Sequence, residues 1–81
     1  MNLDKIIEQQ ISTCIHARNS YSDTFFITSV DTLTMLFEPT VKQQINKYKE
    51  QQNIVETLES YTLLLDKIIN YYFYGETWED A

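Results

Sequence analysis

The sequence predicts an all-α fold: one small domain spanning residues 1–81, built from three helices with a long C-terminal one. Three observations carry that expectation. Apolar side chains recur at spacings of three and four along most of the chain, which is the period of one face of a helix. No two segments alternate apolar and polar residues with period two, so a lone strand would have nothing to pair with. The 81 residues include one Gly and one Pro, which leaves few points at which a helix must end.

The first helix is read over residues 3–17. Leu3, Ile6, Ile7, Ile11, Cys14 and Ile15 fall on one face, and Asp4, Lys5, Glu8, Gln9 and Ser12 fall on the other. The polar run from Arg18 to Asp23 has no periodicity and reads as a loop. The second helix, residues 23–37, rests on Phe26, Val30, Leu33 and Phe37, with Ser22 or Asp23 as its N-cap. The run Phe25-Phe26-Ile27-Thr28 is also rich in strand-forming residues. The alternative is therefore an extended piece to Thr28 followed by a helix capped by Ser29.

Pro39 disfavours helical backbone at Glu38, so the second helix should stop there. Thr40 with Gln43 three residues later resembles a capping box opening the third helix, residues 40–74. Val41, Ile45, Tyr48, Val55, Leu58, Leu65, Ile69 and Tyr72 keep one apolar phase across the polar patch Lys49-Glu50-Gln51-Gln52-Asn53. That phase favours one continuous helix of about 50 Å. The alternative is a break at Gln51 to Asn53, where Asn53 followed by Glu56 reads as a new helix start. Gly75 stands where a left-handed C-cap is expected. In the second half of this helix the apolar stripe is broad, as for a central helix contacted from two sides. In the first half it narrows to Val41, Ile45 and Tyr48. A continuous helix would then project as an arm whose seam, Val41, Ile45, Tyr48 and Val55, is covered by a second copy, giving a homodimer. In a monomer the first helix would lie along that seam instead.

Twelve Asp and Glu stand against six Lys and Arg, for a formal net charge of −6. The glycine count excludes a glycine-built phosphate loop, and one Cys excludes an internal disulfide. No run of 18 apolar residues is present, and the first residues lack the pattern of a signal peptide. A cytoplasmic setting without membrane contact is the resulting expectation. The abundance of Ile, Tyr, Asn and Lys over Gly, Ala, Arg and Pro suggests a low-GC bacterial genome, or a phage or mobile element within one.

Candidate chemistry is sparse. Cys14 and His16 lie two residues apart on a helix and point away from each other, so they cannot share a metal or form a nucleophile and base. Cys14 reads as a small core residue and His16 as a surface residue near a helix C-terminus. The carboxylates have no calcium-loop spacing. No enzyme activity, cofactor or metal is expected. Tyr71-Tyr72-Phe73-Tyr74 cannot all be buried on one helix face, and Trp78 follows amid Glu76, Glu79 and Asp80. Tyr72 and Phe73 suit the core. Aromatic residues ringed by acids suit a protein-binding surface for a basic partner, so Tyr71, Tyr74, Trp78, Glu76, Glu79 and Asp80 are the candidate contact residues. The competing placement folds the tail back, with Trp78 closing the end of the bundle.

The function expected is therefore a non-catalytic protein-binding regulator or inhibitor that occludes a partner protein. Two alternatives stay open. An acidic protein can inhibit a nucleic-acid-binding protein by imitating DNA, although the carboxylates here are scattered. A dimeric DNA-binding regulator would use Lys42, Gln43, Asn46, Lys47 and Lys49, although the net charge makes nucleic acid an unfavourable partner.

Overall fold

The chain forms four helices: α1 (Leu3–Ser20), α2 (Asp23–Met35), α3 (Pro39–Gln51) and α4 (Leu58–Tyr74). This computed structural model describes residues 2–20 and 22–78, and among them there is no strand. The all-α expectation holds, and the expected count of three helices is corrected to four.

In α1 the buried stripe is Ile7, Ile11, Cys14 and Ala17. The helix continues to Ser20 instead of ending at residue 17. Arg18 in its last turn complements the helix dipole and lies 3.8 Å from the Asp66 carboxylate of α4. Helix α2 resolves the Phe25–Thr28 ambiguity in favour of helix. The Ser22 hydroxyl accepts the Phe25 N–H at 3.2 Å and caps it. Its hydroxyl-rich sequence is accommodated because Ser29, Thr32 and Thr34 each donate to the carbonyl four residues back, at 2.8, 3.0 and 3.1 Å. Polar groups on a partly buried helix are thereby satisfied locally. Phe26, Val30 and Leu33 are then free to fill the core, where all three are fully buried.

Pro39 acts differently from expectation. Glu38 does take extended backbone, φ −64° and ψ 160°, as a residue preceding proline should. Yet Glu38 is itself the N-cap, and Pro39 occupies the first turn of α3. Proline is suited to that place because its φ is already helical and its missing N–H would have had no partner. The expected Thr40–Gln43 capping box is not used, and Glu38 makes no side-chain capping bond.

The long third helix breaks where the polar patch ends. Asn53 adopts a left-handed φ of 52°. Its N–H donates to the Glu50 carbonyl at 3.2 Å, and the Ile54 N–H donates to the Lys49 carbonyl at 2.9 Å. These are the paired bonds of a Schellman C-terminus, with Asn in the place usually held by Gly. Thr57 then opens α4 by accepting the Ser60 N–H at 3.2 Å. Asn53 thus ends one helix and does not begin the next. The apolar phase runs through the break because α3 and α4 both pack on α2. A single phase serves two helices.

Helix α2 contacts each of the other three, and α4 also packs on α1. The expected central role of the C-terminal helix therefore passes to α2. One core gathers the buried faces of all four helices together with Phe37 and Trp78. No arm projects: the longest extent is 34 Å and the radius of gyration 12.0 Å. The residues of the expected self-association seam take different places in the fold. Val41 and Ile45 are buried in the chain's own core, Tyr48 is half-buried against Trp78, and Val55 is exposed in the connection between α3 and α4.

The turn at Asn53 gives the first prediction. Replacing Asn53 with Gly should leave stability unchanged or raise it by up to about 1 kcal/mol, whereas Asn53→Ala should lower it by about 1 kcal/mol. Thr57→Ala should cost about 1 kcal/mol through the lost cap. Urea unfolding followed by circular dichroism measures all three.

Candidate functional site

The C-terminal segment is positioned by Gly75. Its φ of 69° is left-handed, its N–H donates to the Tyr71 carbonyl at 3.2 Å, and the next N–H, of Glu76, donates to the Asn70 carbonyl at 3.2 Å. This cap turns the chain back toward α3. Glu76 then meets Lys67, Nζ to Oε1 at 2.7 Å, and the Lys67 ammonium lies 5.5 Å from the Tyr48 ring centroid. Trp78 is 6% exposed, with its ring centroid 5.0 Å from Tyr71 and 5.9 Å from Tyr48.

The six expected contact residues therefore divide. Trp78 is a core residue that closes the bundle, as the competing placement anticipated. Tyr71 is half-buried, its ring also 6.2 Å from Phe37. Tyr74 is 79% exposed, and Glu76 is exposed as well as ion-paired. Glu79 and Asp80 lie outside the described residues. Tyr72 is half-buried, while Phe73, expected in the core, is half exposed with its ring edge-on to Tyr72 at 5.0 Å. Trp78 carries one defect: its indole Nε1 is buried without a hydrogen-bond partner among the described residues. An unmade bond at such a donor costs about 1–3 kcal/mol, so the aromatic packing of this ring is partly offset.

Tyr74 has neighbours that sequence reasoning did not single out. The Tyr72 hydroxyl donates to the Asp4 backbone carbonyl at 3.3 Å, which joins the end of α4 to the start of α1. Leu3, Leu36, Phe37 and Tyr72 line a common hollow. Leu3, Met35, Phe73 and Tyr74, all at this end of the bundle, are each half or more exposed. Met35 falls outside the apolar stripe of α2, and that out-of-phase position is the signal a sequence carries for such a surface. The Tyr72 phenol is pushed up to about 12, first by its partial burial and then by the neighbouring Asp4 and Glu8 carboxylates.

A second constellation is internal. Tyr61, buried on α4, donates its hydroxyl to Asp31 Oδ1 on α2 at 2.8 Å and accepts from Lys49 Nζ on α3 at 3.2 Å. The ammonium also lies 5.3 Å from the Tyr61 ring centroid. Burial is the first cause raising the Tyr61 pKa, followed by Asp31 and Glu56. Three helices are thus fastened by one phenol, and Lys49, one of the residues a DNA reader would use, is engaged within the chain. Of the other residues a DNA reader would use, Lys42 is half-buried, while Gln43, Asn46 and Lys47 are exposed.

The chain matches no protein-family model, no curated protein and no solved structure.

Cys14 is fully buried, and burial pushes its thiol up to about 12 despite a hydrogen bond with Gln10 that acts the other way. A thiol so placed is a poor nucleophile. His16 is exposed on α1. Among the described residues no three His, Cys, Asp or Glu side chains are grouped to hold a metal ion, and no helix is long and apolar enough to cross a membrane.

Two predictions come from these contacts. Tyr61→Phe should lower stability by about 1–3 kcal/mol, because Asp31 and Lys49 lose their shared partner. Its pH signature follows from the raised phenol pKa. The unfolded chain releases the proton first, so the stability present below pH 10 is lost as pH rises further. That alkaline fall should be shallower in Tyr61→Phe, measured by urea titrations at several pH values. For Trp78, substitution by Phe keeps a ring and removes the unpaired N–H, so it should cost less than about 1 kcal/mol. Trp78→Ala should cost at least about 2 kcal/mol. Thermal unfolding of the pair separates packing from the orphaned donor.

Proposed function

We propose that this protein is a non-catalytic binding regulator or inhibitor that acts by covering a surface of a partner protein. The contact surface is the end of the bundle where α1 begins and α2 and α4 finish. One observation carries the reading: Leu3, Met35, Phe73 and Tyr74 are exposed together there, with Met35 and Tyr74 at 73% and 79%. Single exposed apolar residues are ordinary on any protein, but several gathered at one place mark an interaction site. Tyr74 supplies the large amphipathic ring that is enriched at binding hot spots. Glu76 and the acidic balance of the chain supply a field that draws a basic partner. The contact residues expected from the sequence are thereby narrowed to Tyr74 and Glu76 and extended to Leu3, Met35 and Phe73.

The test is affinity capture from the native host, identified by mass spectrometry, with wild type compared against the double variant Phe73→Ser, Tyr74→Ala. Both positions are exposed, so the variant should keep wild-type helicity. A partner should be retained by wild type and reduced at least about tenfold on the variant. Equal retention by both, or salt-sensitive retardation of duplex DNA by the wild-type chain, overturns the reading.

A further inference from the structure

Beside the exposed aromatics lies a hollow of about 190 Å³. Its apolar wall is formed by Leu3 and Ile7 from α1, Leu36 and Phe37 from the α2–α3 turn, Val41 from α3, and the rings of Tyr71 and Tyr72 from α4, and the rest of the lining is polar. A benzene ring is held in a volume of about 150 Å³, so this open hollow has room for a single aromatic side chain. Among the described residues its charged lining consists of Asp4 and Glu38, with no basic residue. Glu8 stands one turn along α1 from Asp4, close enough that both act on the Tyr72 phenol. None of these three carboxylates belongs to an ion pair among the described residues, where the pairs are Arg18–Asp66 and Lys67–Glu76. Glu38 does not use its side chain to cap α3. A partly apolar socket is thus rimmed by carboxylates that no ion pair among the described residues engages.

We infer that this hollow is a socket for one aromatic side chain of a partner protein, presented between Lys or Arg residues that pair with Asp4 and Glu38. The inference rests on the reading of this end of the bundle as a partner-binding surface and adds the chemistry of what enters it. The ring fills the volume and removes apolar wall from water, and the flanking cations meet the rim. A second copy of this chain is the wrong occupant. A symmetric pair would set the same acidic rim against itself, and each copy already carries a net charge of −6.

The test needs no identified partner. Isotope-labelled protein is titrated with the capped tripeptide Lys-Phe-Lys while the methyl signals of Ile7, Leu36 and Val41 are followed by NMR. Two control peptides are Glu-Phe-Glu, with the charges reversed, and Lys-Gly-Lys, without the ring. The expected result is a saturable shift of those three methyl signals, with affinity at least about tenfold weaker for either control. Asp4→Asn combined with Glu38→Gln should weaken Lys-Phe-Lys binding about two- to fivefold at low salt while leaving the methyl spectrum of the free protein in place. The inference is overturned by the absence of a saturable shift up to millimolar peptide, or by equal response to Glu-Phe-Glu. It is also overturned if the three signals move with protein concentration alone, which would assign the hollow to a second copy. Because the peptide probes the socket directly and lysate capture probes the partner, a failed socket leaves the binding reading standing, and a failed capture is recognised separately.

Discussion

The reversal of the chain between Gln51 and Leu58 is the constraint on which the other features depend. It is achieved with one left-handed residue, Asn53, two backbone bonds that close the end of α3, and a threonine cap that opens α4. Once α4 is turned back, Tyr61 reaches both Asp31 and Lys49, and Tyr72 reaches Asp4. The tail after Gly75 can then lay Trp78 on Tyr48. Without the reversal, α3 and α4 would form one rod, and only one half of it could pack on α2. The apolar faces of Val41 and Ile45 and those of Leu64, Leu65 and Ile68 would then compete for cover. A chain of this size has little core to spare. Breaking the helix costs a few backbone bonds and gains burial for both halves.

The tail is the weaker part of the same arrangement. Among the described residues its hold on the body consists of two backbone bonds at the Gly75 cap, one partly exposed ion pair from Lys67 to Glu76, and the packing of one indole. A surface ion pair is worth at most about 1 kcal/mol, and the unpaired Nε1 of Trp78 works against the packing. Trp78 still matters because it covers Tyr48, the half-buried ring that continues the apolar face of α3 beyond Val41 and Ile45. The tail therefore occupies, within one chain, the seam that the sequence alone makes available to a second copy.

Much of the fold was legible in the sequence, for reasons that individual residues make plain. Ile7, Ile11 and Cys14, or Phe26, Val30 and Leu33, declare a buried helix face through spacing that local geometry dictates. Gly75 declares its cap because few other residues tolerate that backbone. Asn53 was harder, since the same residue is favoured both at a helix start and in a left-handed ending. What chose the ending was packing on α2, which the local sequence does not contain. The bond from Tyr61 to Asp31 spans 30 residues and leaves no periodic trace. The exposed surface was half legible: Tyr74 followed from the impossibility of burying four consecutive aromatics, whereas Leu3 and Met35 join it only through the folding of three separate chain segments.

That joining is the reason the proposed contact surface lies at this end of the bundle. Val55 and Leu63 are also exposed, at 57% and 59%, yet the first lies in the α3–α4 connection and the second on the outer face of α4. Each lines a hollow whose other walls are mostly polar or charged: Val55 stands with Ile54 among Asn46, Lys49 and Glu50, and Leu63 with Tyr48 among Asp66, Lys67 and Glu76. At the end of the bundle, by contrast, the start of α1, the finish of α2 and the finish of α4 converge, and each contributes an apolar side chain that its own helix does not need for the core. The acidic groups follow the same logic. Asp4 stands in the first turn of α1 and Glu38 at the N-cap of α3, where helix dipoles favour negative charge without any ion pair. Helix termini can therefore hold these carboxylates at the rim while leaving them available to a cation from outside. A partly apolar hollow walled by three helices, with its anions stabilised by two helix N-termini, is a surface that the fold itself assembles.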